Sequence, residues 1–459
     1  MSDLAKNSGT DLKKDAATTG TTDAAATTGT TDAPEAVAAT KAPVDTGAAP
    51  VPAVDPRLLV RQEGLKGYWT EFKRKIRGGE LGSLPVIVGL IIIAVVFQAQ
   101  NDKFLSASSL TNIAVFTSGL GIMAVGIVFV LLLGEIDLSV GSVAGMGAAV
   151  WAVLNVSNGW GDWTSVLVAI LCGLVIGALH GFFFAKIGVP AFVVTLAGFL
   201  GWSGLQIWLM GNEGSINAPT GGVVENLTGY FFEDKAAAYG LAVVAILAYA
   251  GSLLLDTKRR KAAALPARPL SEILLRTGVV AVLVLAAAYV LNELEGSRGL
   301  PLALVLFLAV LVIADFVARR TTFGRQVFAV GGNAEAARRA GISVDRIRIT
   351  VFAISGMLAA FGGLFIASLS GGATKNLGSG NTLMLVIAAA VIGGTSLFGG
   401  RGKVWSALLG MLVLQSIQQG LNLLGMASEI QFMITGAVLL AAVVIDSVSR
   451  RTQKTAGRA

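Results

Sequence analysis

From residue 83 to residue 447 the chain is a succession of apolar runs separated by short polar stretches, and this pattern leaves few folds open. Twelve runs can be counted, at about 83–99, 110–133, 140–156, 164–185, 190–210, 237–255, 277–292, 300–318, 349–370, 383–398, 404–423 and 430–447. Several are short or rich in glycine, so ten or eleven spans also fit. In lipid each segment must satisfy its own backbone polar groups, so runs of this length become helices. The expected fold is all-α: a polytopic membrane protein with about 10–12 transmembrane helices. Composition agrees, with 54% hydrophobic residues, 14% charged residues and a mean hydropathy of +0.73.

The formal charge of +7 would suggest nucleic acid in a soluble protein, but the cations here are distributed by side. With the amino terminus inside, 27 basic residues fall in inner loops and ends and four (Lys103, Lys235, Arg298 and Lys375) in outer ones. That bias predicts an even number of spans, both termini cytoplasmic, in the plasma membrane, with no nucleic-acid partner.

Residues 1–56 are an Ala/Thr-rich stretch without apolar periodicity, expected to be a disordered cytoplasmic tail. It lacks the pattern of a cleaved secretory signal. A basic juxtamembrane segment follows at 57–82, in which Tyr68, Trp69 and Phe72 sit beside five cations as in an interfacial helix. The membrane domain covers 83–448 and contains a long cytoplasmic loop at 319–348, and 449–459 form a basic cytoplasmic tail. The basic stretch Lys258 to Pro269 is expected to meet anionic headgroups, making membrane lipid a partner.

Several chemistries are excluded. One cysteine, Cys172, and one histidine, His180, make neither a disulfide nor a multi-ligand metal site, so no metal and no cofactor is expected in this chain. No P-loop occurs, since GTSLFGGRGK from Gly394 is followed by Val404, and ATP-driven work must be supplied in trans. No nucleophile has a plausible base, so no catalytic residue is expected. Carboxylates are scarce inside the runs: Asp315 and Asp446 lie near inner ends, and Glu135 and Asp137 sit where the second run breaks. This scarcity counts against an ion-coupled transporter acting alone, which stays the alternative if Glu135 and Asp137 lie on a re-entrant path.

Four local features carry the candidate sites. GEIDLSVGS, Gly134 to Ser142, holds Glu135, Asp137 and Ser139 in backbone unsuited to a continuous helix. It reads either as a broken helix lining a pathway or as a cytoplasmic connection whose Asp137 caps the next helix. His180 lies in GALHG, where Gly177 and Gly181 allow close helix approach, and either glues helices or faces the pathway. Trp202 and Trp208, with Gln206 between them, either stack on a sugar ring near the outer leaflet or form an interfacial belt. Finally, Thr321 to Arg348 is a polar, basic interruption in which Asn333 can cap a helix carrying Glu335 in its first turn and Arg338 and Arg339 in its last. Gly341 can end it in a left-handed conformation. The helix, Ala334 to Ala340, is about 10 Å long, too short to span a bilayer, and must lie at the surface or in a partner's groove.

Taken in order, GEIDLSVGS, VPAFVVTLAGF, FGRQVFAVGGNAEAARRAGISVDRIR and VIGGTSLFGGRG resemble the membrane permease subunits of ribose- and xylose-type ABC sugar importers, with the xylose type the closer. The resemblance covers most of 80–450. It implies a homodimer of permeases that receives sugar from an extracytoplasmic binding protein and couples to an ATPase subunit with two nucleotide-binding domains. Coupling would fall on the short helix from Asn333 to Gly341, and the sugar, a pentose such as xylose, would cross by alternating access. Three features depart from the family pattern: Leu383, Met384 and Leu385 stand where an acidic pair is common, His180 replaces Asn or Gln, and the apolar pair around 237–292 exceeds the usual ten-span core.

Overall fold

A computed structural model describes residues 84–455 apart from 264 and 266, with side chains placed up to 441 and at 444. The expected tail over 1–56 and basic segment over 57–82 lie outside the described residues. Each of the twelve apolar runs forms a helix: α1 (Leu84–Gln100), α2 (Ala107–Leu132), α3 (Val140–Ala152, prolonged by a π turn Val153–Ser157), α4 (Asp162–Phe182, prolonged by Phe183–Ile187), α5 (Ala191–Leu209), α7 (Lys235–Ala262), α8 (Leu270–Asn292), α9 (Leu302–Arg320), α12 (Val344–Leu369), α13 (Thr382–Ile392), α14 (Ser406–Leu423) and α15 (Ser428–Thr455). Between them lie three helices outside those runs: α6 (Val223–Gly229), α10 (Thr322–Gly332) and α11 (Ala334–Arg339).

Eight of the twelve are long and apolar enough to cross a membrane by length and composition: α2 to α5, α7 to α9 and α12. The remaining four have physical reasons for falling short. The first and thirteenth helices have 17 and 11 residues, α14 carries Gln415, Gln418, Gln419 and Asn422, and α15 carries Glu429 and Gln431 in its first turn. Backbone of α15 continues helical to Thr455, so the residues from 449 prolong a helix.

Contacts between loops sort the helix ends into two faces that alternate along the chain as the charges require. On one face Asn101 donates to the Leu423 carbonyl at 3.0 Å, Lys235 pairs with Glu293 at 2.6 Å, and two small antiparallel ladders join β1 (Ser215–Asn217) to β4 (Gly372–Thr374) and β2 (Phe231–Phe232) to β3 (Leu300–Pro301). On the other, Lys186 pairs with Asp345 at 3.1 Å and the Gly400 amide donates to the Leu132 carbonyl at 2.9 Å.

Helix α12 is the centre, packed by α2, α3 and α4. Its seam with α4 is made of small residues, and a Cβ at Gly177 would lie 2.1 Å from the Phe352 carbonyl oxygen. Without a solvent-driven term between apolar helices in lipid, such close approach supplies the packing attraction. The hairpin α7–α8 packs mostly on itself, its loop end tied by Arg268 to Asp256 of α7 at 3.4 Å and to the buried Glu272 of α8 at 3.7 Å.

Candidate functional site

The polar interruption folds into a supported projection. The Thr321 hydroxyl accepts from the Gly324 amide at 3.2 Å and starts α10. The Asn333 side chain accepts from the Ala336 amide at 2.9 Å and starts α11. Helix α11 has six residues, one fewer than the sequence suggests, because Ala340 already leaves helical backbone (φ −80°, ψ 8°). Gly341 follows with φ +82°, and the Ile342 amide returns to the Ala337 carbonyl at 3.0 Å, a glycine-ended helix stop. Only Ala337 of this helix is buried. Glu335 reaches Arg338 at 3.6 Å and Arg339 at 3.4 Å, yet the Arg339 side chain is 80% exposed and free to meet a partner. Arg346 and Arg348, expected in the polar loop, belong to the first turns of α12.

From Glu135 to Ser139 the backbone forms no helix and no strand, and it is not a surface connection. Asp137 and Ser139 are buried. One Asp137 oxygen, Oδ1, accepts from the Ser139 amide at 2.9 Å and from the Ser139 hydroxyl at 2.6 Å, and Oδ2 accepts from the Ser355 hydroxyl at 3.1 Å. Ser355 lies about 16 Å along α12 from Val344, so the segment rises well into the helical body. GEIDLSVGS is buried, non-helical backbone between α2 and α3, in which Asp137 turns onto its own neighbour and Ser139 at the helix start makes no capping bond. Such backbone is tolerated at depth because protein surrounds it. Glu135, before it, is half-buried; burial pushes its carboxyl up, and the Arg348 guanidinium opposes this.

The network continues into α4 and α5. The Ser139 hydroxyl lies 3.2 Å from His180 Nδ1, and Trp202 Nε1 donates to His180 Nε2 at 2.8 Å. An indole N–H only donates, so Nε2 is the bare nitrogen and Nδ1 of the neutral ring carries the proton, directed at Ser139. His180 and Trp202 line a cavity of about 560 Å³ between α4 and α5, otherwise walled by Leu179, Phe183, Val194 and similar apolar groups. The pairing with His180 places Trp202 at the depth of the polar network and not near a leaflet surface, whereas Trp208 is 75% exposed and suits an interfacial belt.

Gln206 does not line this cavity. Its amide donates to the Thr374 carbonyl at 3.0 Å and the Leu377 carbonyl at 3.2 Å, tying α5 to the loop after β4. Gln206→Leu is expected to leave the buried Leu377 carbonyl without its donor and cost about 1 kcal/mol or more, read as a lower melting temperature of the solubilised protein; an unchanged value removes the anchoring role. The structure thus brings Asp137, Ser139, His180 and Trp202 together, leaves Glu135 and Gln206 apart from them, and adds Ser355 and Gly198, which carry no sequence signal inside their apolar runs.

This architecture is a many-helix membrane body with a short capped helix projecting from one face and buried non-helical backbone inside, as a transport permease requires. The sequence profile of the family described as branched-chain amino acid transport system / permease component matches residues 109–443, and the chain belongs to that family. Within it the resemblance is to xylose- and ribose-type members. The xylose transport system permease protein XylH of Escherichia coli is 36% identical over 80% of this chain and 92% of its own length. XylH of Haemophilus influenzae is 33% identical over 80% of this chain and 98% of its own length. The ribose import permease protein RbsC of Escherichia coli is 30% identical over 79% and 92%. No solved structure matches the chain.

Proposed function

We propose that this chain is the membrane-spanning subunit of an ABC importer carrying a monosaccharide, a pentose such as xylose, across the cytoplasmic membrane, with both termini cytoplasmic. ATP is hydrolysed on a separate ATPase subunit, sugar arrives from an extracytoplasmic binding protein, and two copies of the permease face each other. The observation that carries the reading is α11: a capped, exposed helix too short to cross a membrane, with two exposed arginines at its end. Its apolar side is alanine, and Ala337 already packs inward, so it gains little from lying on lipid. A groove on an ATPase subunit suits it better, and a rigid projection transmits a rigid-body movement. The names of the relatives supply the cargo class, and the excess of cations on the face bearing α11 supplies the orientation.

The test is a double charge reversal. R338E/R339E is expected to weaken the contact with the ATPase subunit by about thirtyfold or more, abolishing sugar-stimulated ATP hydrolysis in proteoliposomes while membrane insertion is retained. Unchanged stimulation sinks the docking role. Uptake driven by a proton or sodium gradient without any ATPase sinks the importer reading itself.

A further inference from the structure

We propose that His180 Nε2 is a hydroxyl-binding subsite on the sugar path: a hydroxyl of the passing monosaccharide replaces the Trp202 indole as donor, while Ser139, Asp137 and Ser355 hold the imidazole in the accepting tautomer. The proposal rests on the transport reading above. Three observations carry it.

First, the polarity of the network is fixed from both ends. Trp202 Nε1 only donates, which makes Nε2 an acceptor. At the other end Asp137 Oδ1 accepts from the Ser139 amide at 2.9 Å and from the Ser139 hydroxyl at 2.6 Å, which leaves the hydroxyl lone pair facing the Nδ1 proton at 3.2 Å. Ser355 holds the second carboxylate oxygen at 3.1 Å. Each proton has one direction, and the chain ends on a bare nitrogen at the cavity wall.

Second, apart from the Trp202 donor no side chain from α5 crowds that nitrogen. A Cβ on Gly198 would stand 2.3 Å from His180 Nε2 and 3.2 Å from Trp202 Nε1, so any side chain there fills the approach. Gly198 itself lines the cavity. Third, the remaining walls are aliphatic and aromatic. A sugar presents C–H faces as well as hydroxyls, and one hydrogen-bonding corner in an apolar groove binds weakly enough for release, as passage requires. The indole N–H that holds Nε2 when no sugar is present can then turn to a sugar oxygen, so no buried polar group is left unpaired during transit.

Because the chain contains one histidine, a permease labelled with ¹⁵N-histidine reports only on His180. In the complete importer, with ATPase subunit and binding protein in lipid nanodiscs, the spectrum is expected to show protonated Nδ1 and bare Nε2. Saturating D-xylose or D-ribose, whichever the importer takes up, should shift Nε2 and leave Nδ1 in place. Ser139→Ala should mix the two tautomers, a change that loss of packing alone does not produce. Gly198→Ala should remove the sugar-dependent shift and lower uptake about tenfold, the worth of one lost hydrogen bond. Trp202→Phe removes the indole donor while keeping an aromatic ring and should retain the sugar-dependent shift, which protects the test if Gly198→Ala does not fold. A protonated Nε2 in the sugar-free protein, or an Nε2 unmoved by a sugar that the same importer takes up, overturns the subsite. Absence of uptake of any monosaccharide overturns the transport reading instead.

Discussion

Gly177→Leu is expected to prevent the protein from accumulating in folded form. A Cβ at this position meets the Phe352 carbonyl oxygen at 2.1 Å, its carbon at 2.9 Å and the Ala353 Cα at 3.0 Å. All three are backbone atoms, so no rotamer change relieves the clash, and α4 must move away from α12. Since α12 is also the wall for α2 and α3, separation there opens the centre of the fold and pulls Ser355 from Asp137. Overpacking against backbone at such a seam costs about 3 kcal/mol or more, a large fraction of the stability of a domain. The measurement is the monodisperse yield in detergent and the melting temperature. Gly240→Leu, on the lipid-exposed α7 with nothing within 4 Å of the added carbon, serves as the control and should behave as the parent. Equal behaviour of the two variants would mean that the α4–α12 seam does not hold the fold together.

The apolar runs reported the helices well because burial in lipid writes the same rule into every segment: satisfy the backbone internally and show carbon outward. Gly177 and Gly181 were legible for a related reason, since close approach needs small residues at helical spacing. What the runs concealed is depth. Trp202 reads as an interfacial aromatic because tryptophans usually are, and only the position of His180 across the gap places it inside. Helix α10 was hidden because its residues, TFGRQVFAVGG, interleave three polar side chains with the apolar ones and include three glycines; the Thr321 cap and packing of Val327 and Val330 override that weak propensity. The small ladders β1–β4 and β2–β3 join segments far apart in the chain, and nothing local in two- and three-residue strands encodes such a partner.

At the candidate site, residue types with chemical content were visible and their partners were not. Asp137, Ser139 and His180 stand out as polar groups in apolar surroundings, and a buried polar group implies a hydrogen-bond partner. Ser355, which completes the carboxylate's bonds, is one serine in an apolar run and gives no signal. The short helix at Asn333 was legible almost to the residue because capping chemistry is local: an Asn to start, arginines in the last turn, a glycine to stop.

The seat of that helix was not legible, and it is where a small substitution should have a large effect. Gly331, in the last turn of α10, approaches the end of α2 so closely that a Cβ would lie 1.7 Å from the Leu132 carbonyl oxygen and 2.9 Å from the Gly400 amide nitrogen. That same amide donates to Leu132 at 2.9 Å, and Gly399 lies against both Gly331 and Gly134. Gly134 begins the non-helical segment leading to Asp137, so a displacement of α11 reaches the buried network through a few rigid contacts. In Gly331→Ala the added methyl forces α10 back by roughly 1.5 Å or more to regain ordinary van der Waals distance. Because α10 and α11 lie at one end of the helical body, the core should still fold, while the connection from projection to network is broken. A misplacement of about 1 Å far from the working site can cost about 100-fold in rate, and a loss of uptake of that size is expected here. Sugar-stimulated ATP hydrolysis should fall with it while yield and melting temperature stay near those of the parent. Gly332→Ala, one residue on and with nothing within 4 Å of its added carbon, should transport normally. Equal losses in both variants would assign the effect to helix ends in general and remove the Gly331 seat from the coupling route.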